Sequence, residues 1–207
     1  ATINELNAPV LQTFGTDPDC FGDCDGSVWV EATGGAGGNL YVWDDPSTTT
    51  ADSVSGLCAG AYSVTVTDGA GCSSFSSVSI DDPASIALSA GGTDVTCFGG
   101  SDGTLTANAT GGTGGFSYTW SNGLAGGSIS GVAADTLTVT ATDAQGCSAQ
   151  STVIISQPAP IAVGFTIDTP SAGITATATG GNGGFGYAWS GGLPPGPTPT
   201  GLANDTY

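Results

Sequence analysis

The chain contains no lysine, no arginine, no histidine and no methionine. Each absence removes a class of function. Nucleic-acid backbones are gripped through counterion release by Lys and Arg, so the charge argues strongly against nucleic-acid binding. Against that lack stand 18 acidic residues and a formal net charge of −18, so an anionic membrane surface repels the chain. With no imidazole, amine or guanidinium group, the common proton shuttles, Schiff-base amines and oxyanion clamps are missing, and most enzyme classes go with them. Long apolar runs are missing too. None approaches the roughly 18 residues that span a bilayer, and membrane insertion is not expected.

What is present is small and β-favouring. Of 207 residues, 36 are Gly and 11 Pro, and Ser with Thr make up about a quarter. A mean hydropathy of +0.16, with four Trp, five Tyr and seven Phe, is enough apolar material for small cores and argues against disorder. The length leaves room for one large domain or two to three small ones.

Self-comparison decides between these. Cys20-Phe21-Gly22 recurs as Cys97-Phe98-Gly99, 77 residues on, and at that offset Thr33-Gly34-Gly35 becomes Thr110-Gly111-Gly112 and Trp43 becomes Trp120. Thr67-Asp68-Gly69-Ala70-Gly71-Cys72 reappears as Thr142-Asp143-Ala144-Gln145-Gly146-Cys147. A third copy carries Thr179-Gly180-Gly181 and Phe185-Gly186-Tyr187-Ala188-Trp189. The array divides into an extension over 1–8 and repeats over 9–82, 83–158 and 159–207. Short Val-, Thr- and aromatic-rich runs between Gly/Asn/Asp turns predict strands throughout, with no helical periodicity. Val28, Val30 and Ala32 match Leu105, Ala107 and Ala109, and then Ile174, Ala176 and Ala178, at one parity. That face is predicted to be core, with Trp29, Thr106, Asn108 and Thr175 facing outward. Trp43, Trp120 and Trp189 are the expected core anchors. Asp81-Asp82-Pro83 and Ser156-Gln157-Pro158 run each repeat straight into the next, a stiff junction that suggests a rod.

Val95-Thr96-Cys97-Phe98-Gly99-Gly100-Ser101-Asp102-Gly103, the Thr-Gly-Gly, the Phe-Ser-Tyr-Thr-Trp-Ser-Asn-Gly of 116–123 and Asp143-Ala144-Gln145-Gly146-Cys147 resemble the SprB repeat. The likeness is nearly full-length in the second repeat, good in the first and partial in the third, which lacks Cys-Phe-Gly. That family occurs in large secreted surface proteins of the Bacteroidetes, gliding-motility adhesins among them. The resemblance implies three tandem Ig-like β-sandwich modules, an all-β fold, a place at the cell exterior, a structural or adhesive role and no catalysis.

An even number of cysteines in such a chain points to disulfides. Cys97 and Cys147 are the only two in the second repeat and are expected to pair. By equivalence Cys20 pairs with Cys72, leaving Cys24 with Cys58. A bridge closing about 50 residues is worth roughly 4 kcal/mol in the chain-entropy model. Zinc knuckles have no counterpart here.

Tyr207 aligns with Leu137, so the third repeat is expected to lack its last strands and to expose a sheet edge. A longer chain that continues, a strand donated by a partner, or a stable truncated module would each account for this. Ile3 and Leu6 in the extension are the candidate donor residues for head-to-tail strand exchange, a heterologous contact that builds filaments. Asp17, Asp19, Asp23 and Asp25, ahead of Gly26, form a candidate calcium loop, but their spacing misses the full D-x-[DN]-x-[DN]-G pattern and favours a turn whose carboxylates cap backbone amides. No other cofactor is expected. The adjacent pairs Asp44-Asp45 and Asp81-Asp82 cannot span a glycosidase cleft, because neighbours on a strand face opposite ways. Trp29 would stack on a surface glycan or pack against a neighbour. Asn108 and Asn204 sit in N-x-[ST] sequons, and Ser53 and Thr136 in Asp-Ser/Thr-apolar contexts, which makes them candidate glycosylation sites. The leading expectation is a non-enzymatic segment of an extracellular fibre that associates with itself. A glycan- or calcium-binding surface module is the alternative.

Overall fold

The computed structural model describes residues 8–168, 173–190 and 193–199. The candidate donor residues Ile3 and Leu6, the sequon residue Asn204 and the terminal Tyr207 lie outside them. The described residues fall into two compact units, one drawn from 8–88, 109–117 and 141–149 and the other from 89–108, 118–140 and the described residues from 150 onward. No described helix is long and apolar enough to cross a membrane.

The first repeat forms six strands: β1 (Val10–Thr16), β2 (Gly26–Thr33), β3 (Leu40–Trp43), β4 (Ser53–Leu57), β5 (Gly60–Thr67) and β6 (Ser73–Ile80). They make two three-stranded sheets, β1-β2-β4 and β3-β5-β6, with antiparallel pairing throughout. The alternation read from the sequence sets what each sheet turns inward. Val28 and Val30 of β2 and Val54 and Leu57 of β4 meet Trp43, Val64, Val66 and Ile80 of the other sheet in one core. Val54 and Leu57 are three apart, which strict alternation would place on opposite faces. A register shift in the β2–β4 pairing, with Gly56 at φ +75°, inserts the extra residue and turns both inward.

This is the immunoglobulin arrangement. Taking β1 to β6 as strands A, B, C, E, F and G gives an A-B-E sheet facing a C-F-G sheet. Two further marks of that fold are present. Trp43 is buried on the C-equivalent strand, and Tyr62, near the start of the F-equivalent, donates its hydroxyl to the carbonyl of Cys58 at 2.8 Å.

The second repeat supplies β7 (Ala87–Thr93), β8 (Gly103–Thr110), β9 (Ser117–Trp120), β10 (Ser128–Val132), β11 (Asp135–Thr142) and β12 (Ser148–Ile155). Their sheets, β10-β8-β7 and β12-β11-β9, repeat the order of the first set. Leu105, Ala107, Trp120, Val132, Leu137, Val139 and Ile155 are buried. The bulge recurs beside Gly131. In the third repeat, β13 (Ala162–Asp168) and β14 (Gly173–Thr179) pair as an antiparallel ribbon, and Ala176 is buried at the position of Val30 and Ala107.

Backbone bonds repeat as faithfully as side chains. The amides of Val30, Ala107 and Ala176 donate to the carbonyls of Asp52, Gly127 and Pro197 at 2.9, 2.9 and 2.8 Å. The indole N–H of Trp43, Trp120 and Trp189 donates to the carbonyls of Ala51, Gly126 and Gly196 at 3.0, 3.0 and 2.8 Å. All three tryptophans therefore sit in equivalent places. Trp43 and Trp120 are fully buried, whereas Trp189 is half-buried.

Candidate functional site

The chemistry-bearing residues gather where the Cys-Phe-Gly loop of one repeat meets the start of the next. Four conserved-in-the-array contacts build this junction twice. Asp17 accepts the amide of Asp81 and Asp94 accepts that of Ser156, both at 2.8 Å, tying each repeat's last strand to its first loop. Gly22 donates its amide to Asp82 at 3.3 Å, and Gly99 to the side-chain oxygen of Gln157 at 2.9 Å. Past the proline, Gly112 and Gly181 donate to the carbonyls of Ala84 and Ala159 at 2.9 and 2.7 Å. Within the loop itself, Asp25 accepts the amide of Asp19 at 3.1 Å and Asp102 that of Thr96 at 3.0 Å.

The linker passes so close to the Thr-Gly-Gly turn that only glycine fits. A β-carbon on Gly111 would overlap the carbonyl oxygen of Ser85, and one on Gly180 that of Pro160. The Thr-Gly-Gly motif is thus a docking notch for the incoming linker.

A third element closes the first junction. Asp143 is buried and its carboxylate accepts three backbone amides: Thr113 at 3.0, Gln145 at 3.0 and Cys147 at 2.9 Å. Asp68 is buried in the same way and holds Ala36, Ala70 and Cys72, each at 2.9 Å. The Thr113 amide leads in holding the Asp143 carboxyl below the usual range, and the Ala36 amide does so at Asp68. Both carboxylates stay ionised because amide dipoles replace the water they lose. Each one shapes an Asp-X-X-Gly-Cys loop and aims its cysteine. The sequence marks these aspartates only as members of the repeated Thr-Asp-X-X-Gly-Cys segment, with no role of their own. The signal that marks them is the Thr-Asp before, and Gly-Cys after, two variable positions in both copies.

The cysteine that Asp143 positions overturns the expected pairing. Cys147 is bonded to Cys20, so neither Cys20–Cys72 nor Cys97–Cys147 forms. Cys24–Cys58 is present as expected. Cys97 is an exposed free thiol. The expectation assumed that bridges close within a repeat. Instead, the Cys-Phe-Gly loop points out of its own repeat toward the Asp-X-X-Gly-Cys loop of the next copy, and the bond runs between copies. Around it lies a groove of ≈ 470 Å³, lined among others by Asp19, Phe21, Pro83, Ile86 and Asp143.

The remaining candidates find local roles. Among the described residues no group of three or more His, Cys, Asp or Glu is placed to hold a metal ion. Asp17 and Asp25 are spent on amides, while Asp19 and Asp23 line the groove. Asp44 binds the amide and hydroxyl of Ser63, and those bonds, the hydroxyl first, hold its carboxyl low. Burial pushes Asp45 up, but the amides of Thr49 and Ser47 outweigh it and its carboxyl is also low. Asp45 caps its own turn while Asp44 is tied to Ser63 of β5, and this division of roles leaves no shared catalytic arrangement. Trp29 stacks on Phe14 of the adjacent strand at 5.4 Å and 16°, so its face is covered from within its own sheet. Asn108, Ser53 and Thr136 are all exposed.

No curated protein sequence shows significant similarity to the chain. Among solved structures it is similar to the crystal structure of DIP-gamma IG1+IG2, at 15% identity and a TM-score of 0.35, covering 72% of this chain and 97% of that one. It is also similar to the N-terminal eight Ig domains of Down Syndrome Cell Adhesion Molecule, at 15% identity and a TM-score of 0.30, covering 82% of this chain and 25% of that one. The SprB-repeat family profile matches residues 14–48 and 92–125, the two stretches that run from the first strand through the Cys-Phe-Gly loop and Thr-Gly-Gly turn to the buried tryptophan and just beyond. Each of these two stretches is similar to the SprB repeat.

Proposed function

We propose that the chain is a non-catalytic structural or adhesive segment of an extracellular surface fibre, built from serially joined Ig-like repeats. The observation that carries this reading is the Cys20–Cys147 bond, which ties consecutive repeat copies covalently and suits an oxidising exterior. The acidic residues support it as well. Asp44, Asp45, Asp68, Asp102 and Asp143 are all held low by hydrogen bonds, the reverse of the raised carboxyl a general acid needs. Their work is to fix loops.

The fibre grows by strand complementation at the third repeat, from a second copy of the chain. In the first two repeats one face of the opening strand is covered by the closing strand. Gly15 lies against Ile80 and Gly92 against Ile155, so closely that a β-carbon would meet those side chains at 2.7 and 2.6 Å. The same face of β13 carries Val163, Phe165 and Ile167, which are 54, 64 and 74% exposed. Phe165 and the half-buried Trp189 border an apolar groove of ≈ 360 Å³. Sedimentation velocity and negative-stain imaging of the oxidised protein test this. Concentration-dependent assemblies that Phe165→Asp disperses are the expected result, and a monomer that persists at roughly 100 μM ends the assembly reading, because intersubunit strand addition should be populated by then.

A further inference from the structure

The second junction reproduces the first in every described contact but one. A groove of ≈ 410 Å³ lies beside Cys97, Phe98, Pro158, Ile161 and Gly181, the counterparts of Cys20, Phe21, Pro83, Ile86 and Gly112 around the first groove. The amide of Gly99 is tied to Gln157, Gly181 is tied to Ala159, and Gly180 is pressed on Pro160. Asn182 adds a bond to the carbonyl of Thr96 at 2.8 Å, so the Cys-Phe-Gly loop is held at this junction as firmly as at the other. The exception is the wall that Asp143–Ala149 builds in the first groove. No described residue lining the second groove takes that part, and Cys97 stands exposed with a free thiol where Cys20 carries a disulfide.

We propose that Cys97 is the acceptor of a second disulfide between repeats, its partner a cysteine on an Asp-X-X-Gly-Cys loop. Two observations point to that partner independently of the thiol. One is the repeat-equivalent site, where a loop of this sequence occupies the groove and bonds the equivalent sulfur. The other is the Asp143 clamp, which shows how such a loop presents its cysteine. The loop reaches the groove on a following repeat of the same polypeptide or on a second copy of the chain. Either source gives the same bond.

The reaction is thiol–disulfide exchange with a small disulfide as oxidant. The incoming cysteine attacks glutathione disulfide, forms a mixed disulfide and releases one glutathione thiolate. The Cys97 thiolate then attacks the cysteine sulfur of that mixed disulfide. The Cys97 bond forms, the glutathione–cysteine bond breaks, and a second glutathione leaves. Two protein thiols are oxidised, one glutathione disulfide is reduced to two thiols, and the two protons pass to glutathione.

The test is capture of a synthetic peptide spanning 135–156, β11 through β12, by the full chain in a glutathione redox buffer. Intact mass before and after reduction, with fragment mapping, reads the product. The expected result is attachment at Cys97, at least tenfold faster than for a scrambled peptide with the same single cysteine, and lost in Cys97→Ser. A peptide carrying Asp143→Asn falls toward the scrambled rate. Equal capture of native and scrambled peptides overturns the proposal, as does attachment elsewhere while Cys97 stays reduced. With no peptide added, disulfide-linked multimers that Cys97→Ser abolishes, and in which fragment mapping joins Cys97 to an Asp-X-X-Gly-Cys loop of another copy, identify a second copy as the source. Peptide capture without such multimers identifies a following repeat. Phe165→Asp leaves capture at Cys97 intact, so failure of strand complementation and failure of this bond are separately visible.

Discussion

At the scale of single residues, aspartate is the working side chain of this protein. A chain with no cations cannot form salt bridges from its side chains, so its carboxylates turn to the backbone, and amide donors supply the compensation that buried charge requires. The consequence is a defined acid response. Hydrogen bonds hold the carboxyls of Asp44, Asp45, Asp68, Asp102 and Asp143 below the usual carboxylate range, which makes the folded state bind protons less readily than the unfolded one. Their contribution is complete above about pH 4 and disappears as pH falls through the folded values. The net charge of −18 acts in the opposite sense, since protonation relieves self-repulsion. The expected profile at low salt is therefore flat or slightly rising stability from pH 7 to about 4.5, then a steep loss below about 3.5. Thermal melts across that range check it. Asp143→Asn is expected to lower the melting temperature at pH 7 by roughly 5 °C or more, because the amide cannot replace a three-fold acceptor, and to flatten the acid limb.

At the scale of the element, the tryptophan-bearing strand is the pivot of each repeat. Trp43 is 1% exposed and lies in the core with its indole bonded to the carbonyl of Ala51, so Trp43→Ala should cost about 3–5 kcal/mol in denaturant unfolding. Trp189→Ala should cost clearly less, since its ring is only half-buried. A large loss at Trp189 in the isolated chain would mean that its strand is already covered. Much of this level was legible in the sequence. The parity of Val28/Val30 against Leu105/Ala107 and the recurrence of Trp43, Trp120 and Trp189 place the core correctly, because burial on a pleated strand leaves a period of two. The bulges at Gly56 and Gly131 were not legible, since one inserted residue alters no periodicity long enough to measure. The outward Trp29 was read correctly in parity but not in surroundings. Its cover is Phe14, on a neighbouring strand whose register the sequence does not state. The junctions were visible only as Pro-containing boundaries, and their notch at Gly111 and Gly180 depends on a close approach that composition cannot reveal.

At the scale of the whole molecule, the cysteines carry the lesson. Repetition at an offset of 77 makes a pairing within a repeat and a pairing between successive repeats equally consistent with the spacing, so equivalence favours neither Cys20–Cys72 nor Cys20–Cys147. Only the direction in which the Cys-Phe-Gly loop points decides. Disulfide mapping checks the outcome, and it needs Asp- or Glu-specific proteolysis because trypsin has no site in a chain without Lys and Arg. The fragment holding Cys20 should emerge linked to the one holding Cys147. In the chain-entropy model the Cys20–Cys147 closure, with a separation of 127, is worth about 5 kcal/mol. The Cys24–Cys58 closure, with a separation of 34, is worth about 4 kcal/mol. Cys147→Ser should therefore destabilise at least as much as Cys58→Ser in thermal melts.

The position of the longer bridge also governs what happens when the chain is pulled from its ends. Tension entering at Cys20 crosses directly through sulfur to Cys147, and the 127-residue separation between them, about 400 Å of contour at full extension, stays slack and cannot be paid out. Pro83 and the buried tryptophans on either side of it bear none of the force. A reductant is the release, and stretching the same chain before and after reduction would differ by that length.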